Sequence, residues 1–177
     1  GTGRVHFDAA ELHATVLGTI VENRHIVRAL FQALADSSVT VFDGVKVNRW
    51  HRGQGIELDD GRLVTADLVV GADGARSRLR QWAGLATREW DYDHQAIVCT
   101  VQTVNSHAFT AWQRFSPTGP LAFLPLANEN GDDNFCSIVW SQQTDEARRL
   151  MALDEDAFRL ELERAIEGQL GELQAEK

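Results

Sequence analysis

Hydrophobic positions change their period several times along this chain, and each change marks an element. Val5 to Phe7 reads as a short strand, and Leu17-Gly-Thr-Ile-Val-Glu as the end of another. Ile26, Val27, Leu30, Phe31 and Leu34 then recur at the three-and-four spacing of an amphipathic helix. Asn23 is placed to cap that helix through its side-chain oxygen, and Asp36-Ser-Ser to stop it. Strand signal returns at Val39 to Phe42. From Val45 to Thr65 the period is two, in runs Val45 to Trp50, Gly55 to Leu58 and Leu63 to Thr65, broken by Arg52-Gly53-Gln54 and Asp59-Asp60-Gly61. Asp-Gly between alternating runs predicts an antiparallel meander. Leu68, Val69 and Val70 are continuous and apolar, which predicts a strand covered on both faces, followed by a helical segment over Ser77 to Ala83 and a glycine stop at Gly84.

Beyond the connection Leu85 to His94 the texture differs. Ala96 to Val104, Ala108 to Phe115, Gly119 to Leu126 and Asn134 to Trp140 read as four long strands with no helix between them, hence an antiparallel sheet. Helices are expected near Thr144 and near Asp154, the latter with Phe158, Leu162, Ile166 and Leu170 along one side and acids in its first turn. Gly171 to Lys177 reads as solvated. The expected division is 1–90, mixed α/β, and 91–177, an antiparallel sheet closed by helices.

Charge narrows the function classes. Seventeen basic residues against twenty-six acidic ones give a formal charge of −9, which opposes nucleic-acid binding and adhesion to an anionic membrane. No apolar run approaches the roughly 20 residues that cross a bilayer, so no membrane anchor is expected. The start of the chain lacks a signal-peptide pattern, and the only Met is Met151, so the sequence is expected to begin mid-protein. Cys99 and Cys136 lie in strand-like apolar runs and read as buried free thiols, which predicts a cytoplasmic protein.

Chemistry-bearing residues are sparse. The six histidines are scattered without metal-ligand spacing and read as surface or locally bonded. No G-x-S-x-G elbow is present and neither cysteine has an obvious base, so hydrolysis has no foothold. What stands out is Asp67 to Arg80, where an acid sits between two glycines at the end of a predicted strand. Ligands of open α/β sheets bind at such strand ends. An isolated Asp-Gly is equally compatible with a simple Asx turn.

Gly71-Ala-Asp-Gly-Ala-Arg-Ser-Arg-Leu-Arg resembles the G-A-D-G-x-x-S-x-x-R motif of flavoprotein aromatic hydroxylases. With Leu17 to Asn23, the run Ala111-Trp-Gln-Arg-Phe-Ser-Pro-Thr-Gly-Pro-Leu-Ala-Phe-Leu-Pro-Leu and Ile138-Val-Trp-Ser, the chain is similar to class A FAD-dependent monooxygenases. Within them it most resembles the ubiquinone-biosynthesis hydroxylases, the 2-octaprenylphenol and polyprenyl-benzoquinol hydroxylases. That resemblance implies an α/β (α+β) fold: part of a para-hydroxybenzoate-hydroxylase-like FAD-binding domain plus a mostly antiparallel substrate-domain sheet. It implies FAD as cofactor and NAD(P)H as reductant, with one oxygen of O₂ passing to a phenolic or quinol ring. It further implies a small aromatic or prenylated substrate, and peripheral membrane association or a biosynthetic complex of the parent.

By the same resemblance, Asp73, Gly74, Ser77 and Arg80 are the expected cofactor-binding turn, with Asn23 and Arg24 beside the flavin. Arg114, Phe123 and Pro125 lie on strands expected to cover the substrate side of the ring, and no protein group is expected to act as a catalytic nucleophile or acid/base. The family's opening G-x-G-x-x-G turn, which holds the ADP half on a helix N-terminus, is not formed by Gly1 and Gly3, and its later Gly-Asp motif, with an acid for the ribityl chain and a helix start for the pyrophosphate, is expected to follow Lys177. The chain therefore reads as a central fragment that binds FAD weakly or not at all by itself. A same-fold prenyl reductase or halogenase, and a non-catalytic binding module, are the competing readings.

Overall fold

A computed structural model describes residues 3–127 and 130–174. The chain divides into two compact units, residues 30–90, and residues 3–29 together with 91–174. The division falls within the first helix, α1, Asn23–Ala35.

Residues 30–90 contain the meander β1 (Val47–His51), β2 (Gly55–Leu58) and β3 (Leu63–Val64), paired antiparallel in that order. Gly55 is required where it stands. Its φ is +144°, and a Cβ there would sit 2.5 Å from the Val64 carbonyl oxygen. An open apolar depression is lined by Leu34, Val41, Phe42, Val47, Ile56 and Val64. The short helix α2 spans Arg78–Trp82. Gly84, with φ of +69°, closes it: its N–H donates to the Gln81 carbonyl at 3.0 Å and the Leu85 N–H to the Arg80 carbonyl at 3.1 Å, the paired bonds of a Schellman end.

The other unit is built on a five-stranded antiparallel sheet of order β5-β6-β7-β4-β8. Its strands are β4 (His94–Thr103), β5 (Trp112–Ser116), β6 (Gly119–Leu126), β7 (Phe135–Gln143) and β8 (Leu173–Gln174). Helices α3 (Thr144–Met151) and α4 (Glu155–Ala165) pack on one face. Period two then decides which side chains they cover. Ile97, Phe123, Ile138 and Trp140 point toward the helices and join Leu150, Leu162, Ile166 and Leu170 in the core. Asp154 caps α4 by accepting from the Ala157 N–H at 2.8 Å.

Several expected strands are absent. Val5 to Phe7, Leu17 to Glu22, Val39 to Phe42 and Leu68 to Val70 are extended or irregular, without strand pairing. Leu68 and Val70 are 78% and 73% exposed, the opposite of a strand covered on both faces. A buried parallel strand needs neighbours on both edges and layers on both faces, and no described segment supplies them here. Asn23 is the first residue of α1 rather than its cap. The strand expected from Ala108 begins only at Trp112, because Ala108 and Phe109 adopt left-handed φ of 47° and 52°. Gly171 to Lys177 is not wholly solvated, since Leu173 is buried where β8 meets β4. Residues 175–177, and Glu129 in the connection before β7, lie outside the described residues. Both cysteines are free, Cys136 buried and Cys99 half-buried.

Candidate functional site

The glycine turn at Gly71 to Arg80 is held together from within. Asp73 accepts from the Ser77 hydroxyl at 2.5 Å and from the backbone N–H groups of Arg78 and Leu79 at 2.8 and 3.2 Å. Those bonds, the Ser77 hydroxyl foremost, hold its carboxyl below the usual range. Ser77 is buried and caps α2, accepting from the Arg80 N–H at 3.0 Å. The Arg80 guanidinium donates to the Ala75 carbonyl. Arg78 reaches the Val47 carbonyl at 3.1 Å and stacks over Trp82, tying α2 to the meander. Gly74 has φ of +82°, a conformation costly for a residue with a Cβ, and a Cβ on Gly71 would lie 3.3 Å from that of Leu79.

The turn closes on itself. Its glycines keep the backbone bare, and its acid is committed to organising the loop. Asn23 and Arg24 open α1, where Arg24 pairs with Glu22 at 2.9 Å and is 72% exposed. Glu22 also meets His25, and its carboxyl is held low chiefly by the Arg24 hydrogen bond.

Arg114, Phe123 and Pro125 all stand at helix-facing positions of the sheet, since Arg114 pairs with Leu121, Phe123 with Ile138 and Pro125 with Cys136. Phe123 has no exposed surface. Arg114 donates to the Ala165 carbonyl at 2.5 Å and pairs with Glu167, so it closes the C-terminal end of α4. Charge and hydrogen bonding both suit a cation there. The opposite face of β4 to β7 is not covered by α3 and α4. It carries Val98, Thr100, Ala122, Leu124, Val139 and, on the edge strand, Phe115, which is 79% exposed.

His107, expected at the surface or locally bonded, is fully buried and locally bonded. Its Nδ1 accepts from the Phe109 N–H at 3.0 Å, which leaves Nε2 to donate to the Leu126 carbonyl at 3.2 Å. Nothing in its sequence neighbourhood signalled that burial. Phe115 could have been singled out from alternation alone, being out of phase with Trp112 and Arg114. Among the described residues no His, Cys, Asp and Glu cluster has metal-binding geometry, and no helix is long and apolar enough to cross a membrane.

The chain is 38% identical over 174 residues to 3-demethoxyubiquinol 3-hydroxylase of Escherichia coli (strain K12), covering 96% of this chain and 43% of that protein. It is 36% identical to ubiquinone hydroxylase UbiL of Rhodospirillum rubrum over 94% of this chain and 38% of the relative. It is also 36% identical to human ubiquinone biosynthesis monooxygenase COQ6, mitochondrial, over 80% and 32%. The chain thus spans less than half the length of these relatives. The model of the FAD binding domain family matches residues 17–176, which takes in the glycine turn and the whole antiparallel sheet, and the chain belongs to that family.

Proposed function

We propose that the protein containing this chain is an FAD-dependent monooxygenase that hydroxylates a phenolic or quinol ring, using NAD(P)H and O₂, in ubiquinone biosynthesis. The observation that carries this reading is the self-braced turn of Asp73, Gly74, Ser77 and Arg80 inside a match of FAD-family sequence that extends through the sheet. The names of the relatives support the substrate class. FAD, when bound, supplies the redox and oxygen chemistry. The chain's own residues then bind, orient and exclude water.

In this reading residues 1–90 belong to the cofactor domain and 91–177 to the substrate domain. Asp73, Ser77 and Arg80 shape the turn, Gly74 lets the backbone approach the cofactor, and Asn23 and Arg24 contribute from the start of α1. The strands carrying Arg114, Phe123 and Pro125 form the substrate side. The free thiols of Cys99 and Cys136 support a reducing compartment such as the cytoplasm. A prenylated substrate would bring the parent to a membrane surface or into a biosynthetic complex.

The test is product analysis with the full-length, FAD-loaded protein and 2-geranylphenol under ¹⁸O₂. Incorporation of one labelled oxygen into the ring, dependent on NADH or NADPH, is the expected result. Reduced or halogenated product without ring hydroxylation would sink the proposal.

A further inference from the structure

The turn that carries the chain from β4 to β5 is both closely bonded and strained. The His107 N–H donates to the Asp133 carbonyl at 2.8 Å and the Thr110 N–H to the His107 carbonyl at 2.9 Å. The Ser106 hydroxyl donates to the Asp133 carboxylate at 2.6 Å and accepts from the Ala108 N–H at 2.9 Å. Within this frame Ala108 and Phe109 take their left-handed φ, a conformation that residues with a Cβ keep only when their surroundings impose it. Phe109 is left 78% exposed, its ring T-shaped against that of His107 with centroids 5.6 Å apart.

Both ring nitrogens of His107 are committed, and in opposite senses. Nδ1 accepts from the Phe109 N–H at 3.0 Å, inside the strained pair, while Nε2 donates to the Leu126 carbonyl at the end of β6 at 3.2 Å. Only the neutral imidazole can do both. An added proton would go to Nδ1 and set it donor to donor against the Phe109 N–H. The residue has no exposed surface, so water can neither replace the lost bond nor solvate the charge. The closed turn therefore holds the neutral ring, and the open turn takes the proton. Among the described residues, the ionisable groups on the segments bonded to this turn are acids: Asp132 and Asp133 before β7, and Glu172, whose carbonyl receives the Val104 N–H. The basic residue of β5, Arg114, is drawn onto the end of α4. The acids favour an imidazolium in either form of the turn, which raises the pH of switching and leaves its direction unchanged.

We propose that His107 is a pH-sensitive latch: when neutral it fastens the β4–β5 turn and its exposed Phe109 to the end of β6, and protonation releases them. This does not depend on the hydroxylase reading.

The test is hydrogen exchange in the full-length, FAD-loaded protein from pH 8 to 5, read at the Phe109 and Thr110 amides and corrected for intrinsic exchange. That window lies above the ordinary carboxylate range, so the acids keep their charge. An exposed imidazole takes up its proton near pH ~6.5, and opening binds one proton. Protection should therefore be level at high pH and fall by up to about tenfold per pH unit below about 6.5. The Ile138 and Val139 amides of β7 should stay level. His107→Gln should be less protected at pH 8 and level throughout. A level wild-type profile, or a variant that falls as steeply as wild type, overturns the proposal. So does an equal loss in β7, which would mean that the whole sheet opens. If the variant does not fold, the ¹⁵N ring shifts of wild-type His107 decide: charging that tracks the loss of protection supports the latch, and charging with protection intact overturns it.

Discussion

Asp73 organises the turn that carries it. Its carboxylate is engaged by one hydroxyl and two backbone N–H groups of its own loop. Because its folded pKa lies below the ordinary 3.8, the bracing is complete above that value and is lost as pH falls through the folded pKa. The Arg78 and Leu79 amides should therefore keep their hydrogen-exchange protection through the ordinary carboxylate range and lose it only as pH falls below that range. Asp73→Asn should weaken that protection at neutral pH and flatten its pH dependence. Equal protection in the variant would show that the carboxylate does not hold the turn. The motif was readable from Gly71 to Arg80, but the partner of each group was not, since hydrogen bonds inside a turn depend on φ and on side-chain rotamers.

Helix α4 ends on a conflict that Arg114 resolves. Glu167 occupies the left-handed position after the helix, φ of +58°, where glycine is the usual residue. The Gly168 N–H reaches the Glu163 carbonyl at 3.2 Å and the Glu167 N–H the Arg164 carbonyl at 3.2 Å. A Cβ in that conformation costs about 1 kcal/mol. The Arg114–Glu167 pair, with side chains 38% and 69% exposed, is screened and returns less than about 1 kcal/mol. Glu167→Gly should then change stability by under about 1 kcal/mol in either direction. Arg114→Gln, which also strips the Ala165 carbonyl of its donor, should cost about 1 to 2 kcal/mol by denaturant unfolding. A larger loss for Glu167→Gly than for Arg114→Gln would reverse this order of importance. Alternation made the strands of the sheet legible from sequence, β6 to the residue and β7 except for its last three residues, Ser141 to Gln143. It said nothing of which phase the helices would cover, and so Arg114, Phe123 and Pro125 were read without their face.

For the molecule as a whole, segments with a sustained apolar period were legible, and short apolar runs without one were not. The meander and helices α1, α3 and α4 are local and appeared near where their patterns put them, although α4 stops at Ala165, short of Ile166 and Leu170. Leu68 to Val70 has an apolar strand's composition without strand neighbours, and composition alone cannot supply a ladder. The same incompleteness bears on cofactor affinity. The sequence holds one braced glycine turn and no G-x-G-x-x-G turn, so titration of this chain with FAD, followed by flavin fluorescence and calorimetry, should give no stoichiometric submicromolar complex. A tight one-to-one complex would contradict that expectation. The order β5-β6-β7-β4-β8 also sets a timetable for synthesis. β4 is the first strand of its sheet to leave the ribosome, yet it lies between two of the last, and its first partner is missing until Phe135 has been made. During that interval its apolar residues wait unpaired while β5 and β6 can already zip together, so β4 is the strand that waits longest for a partner and the one most in need of protection from aggregation.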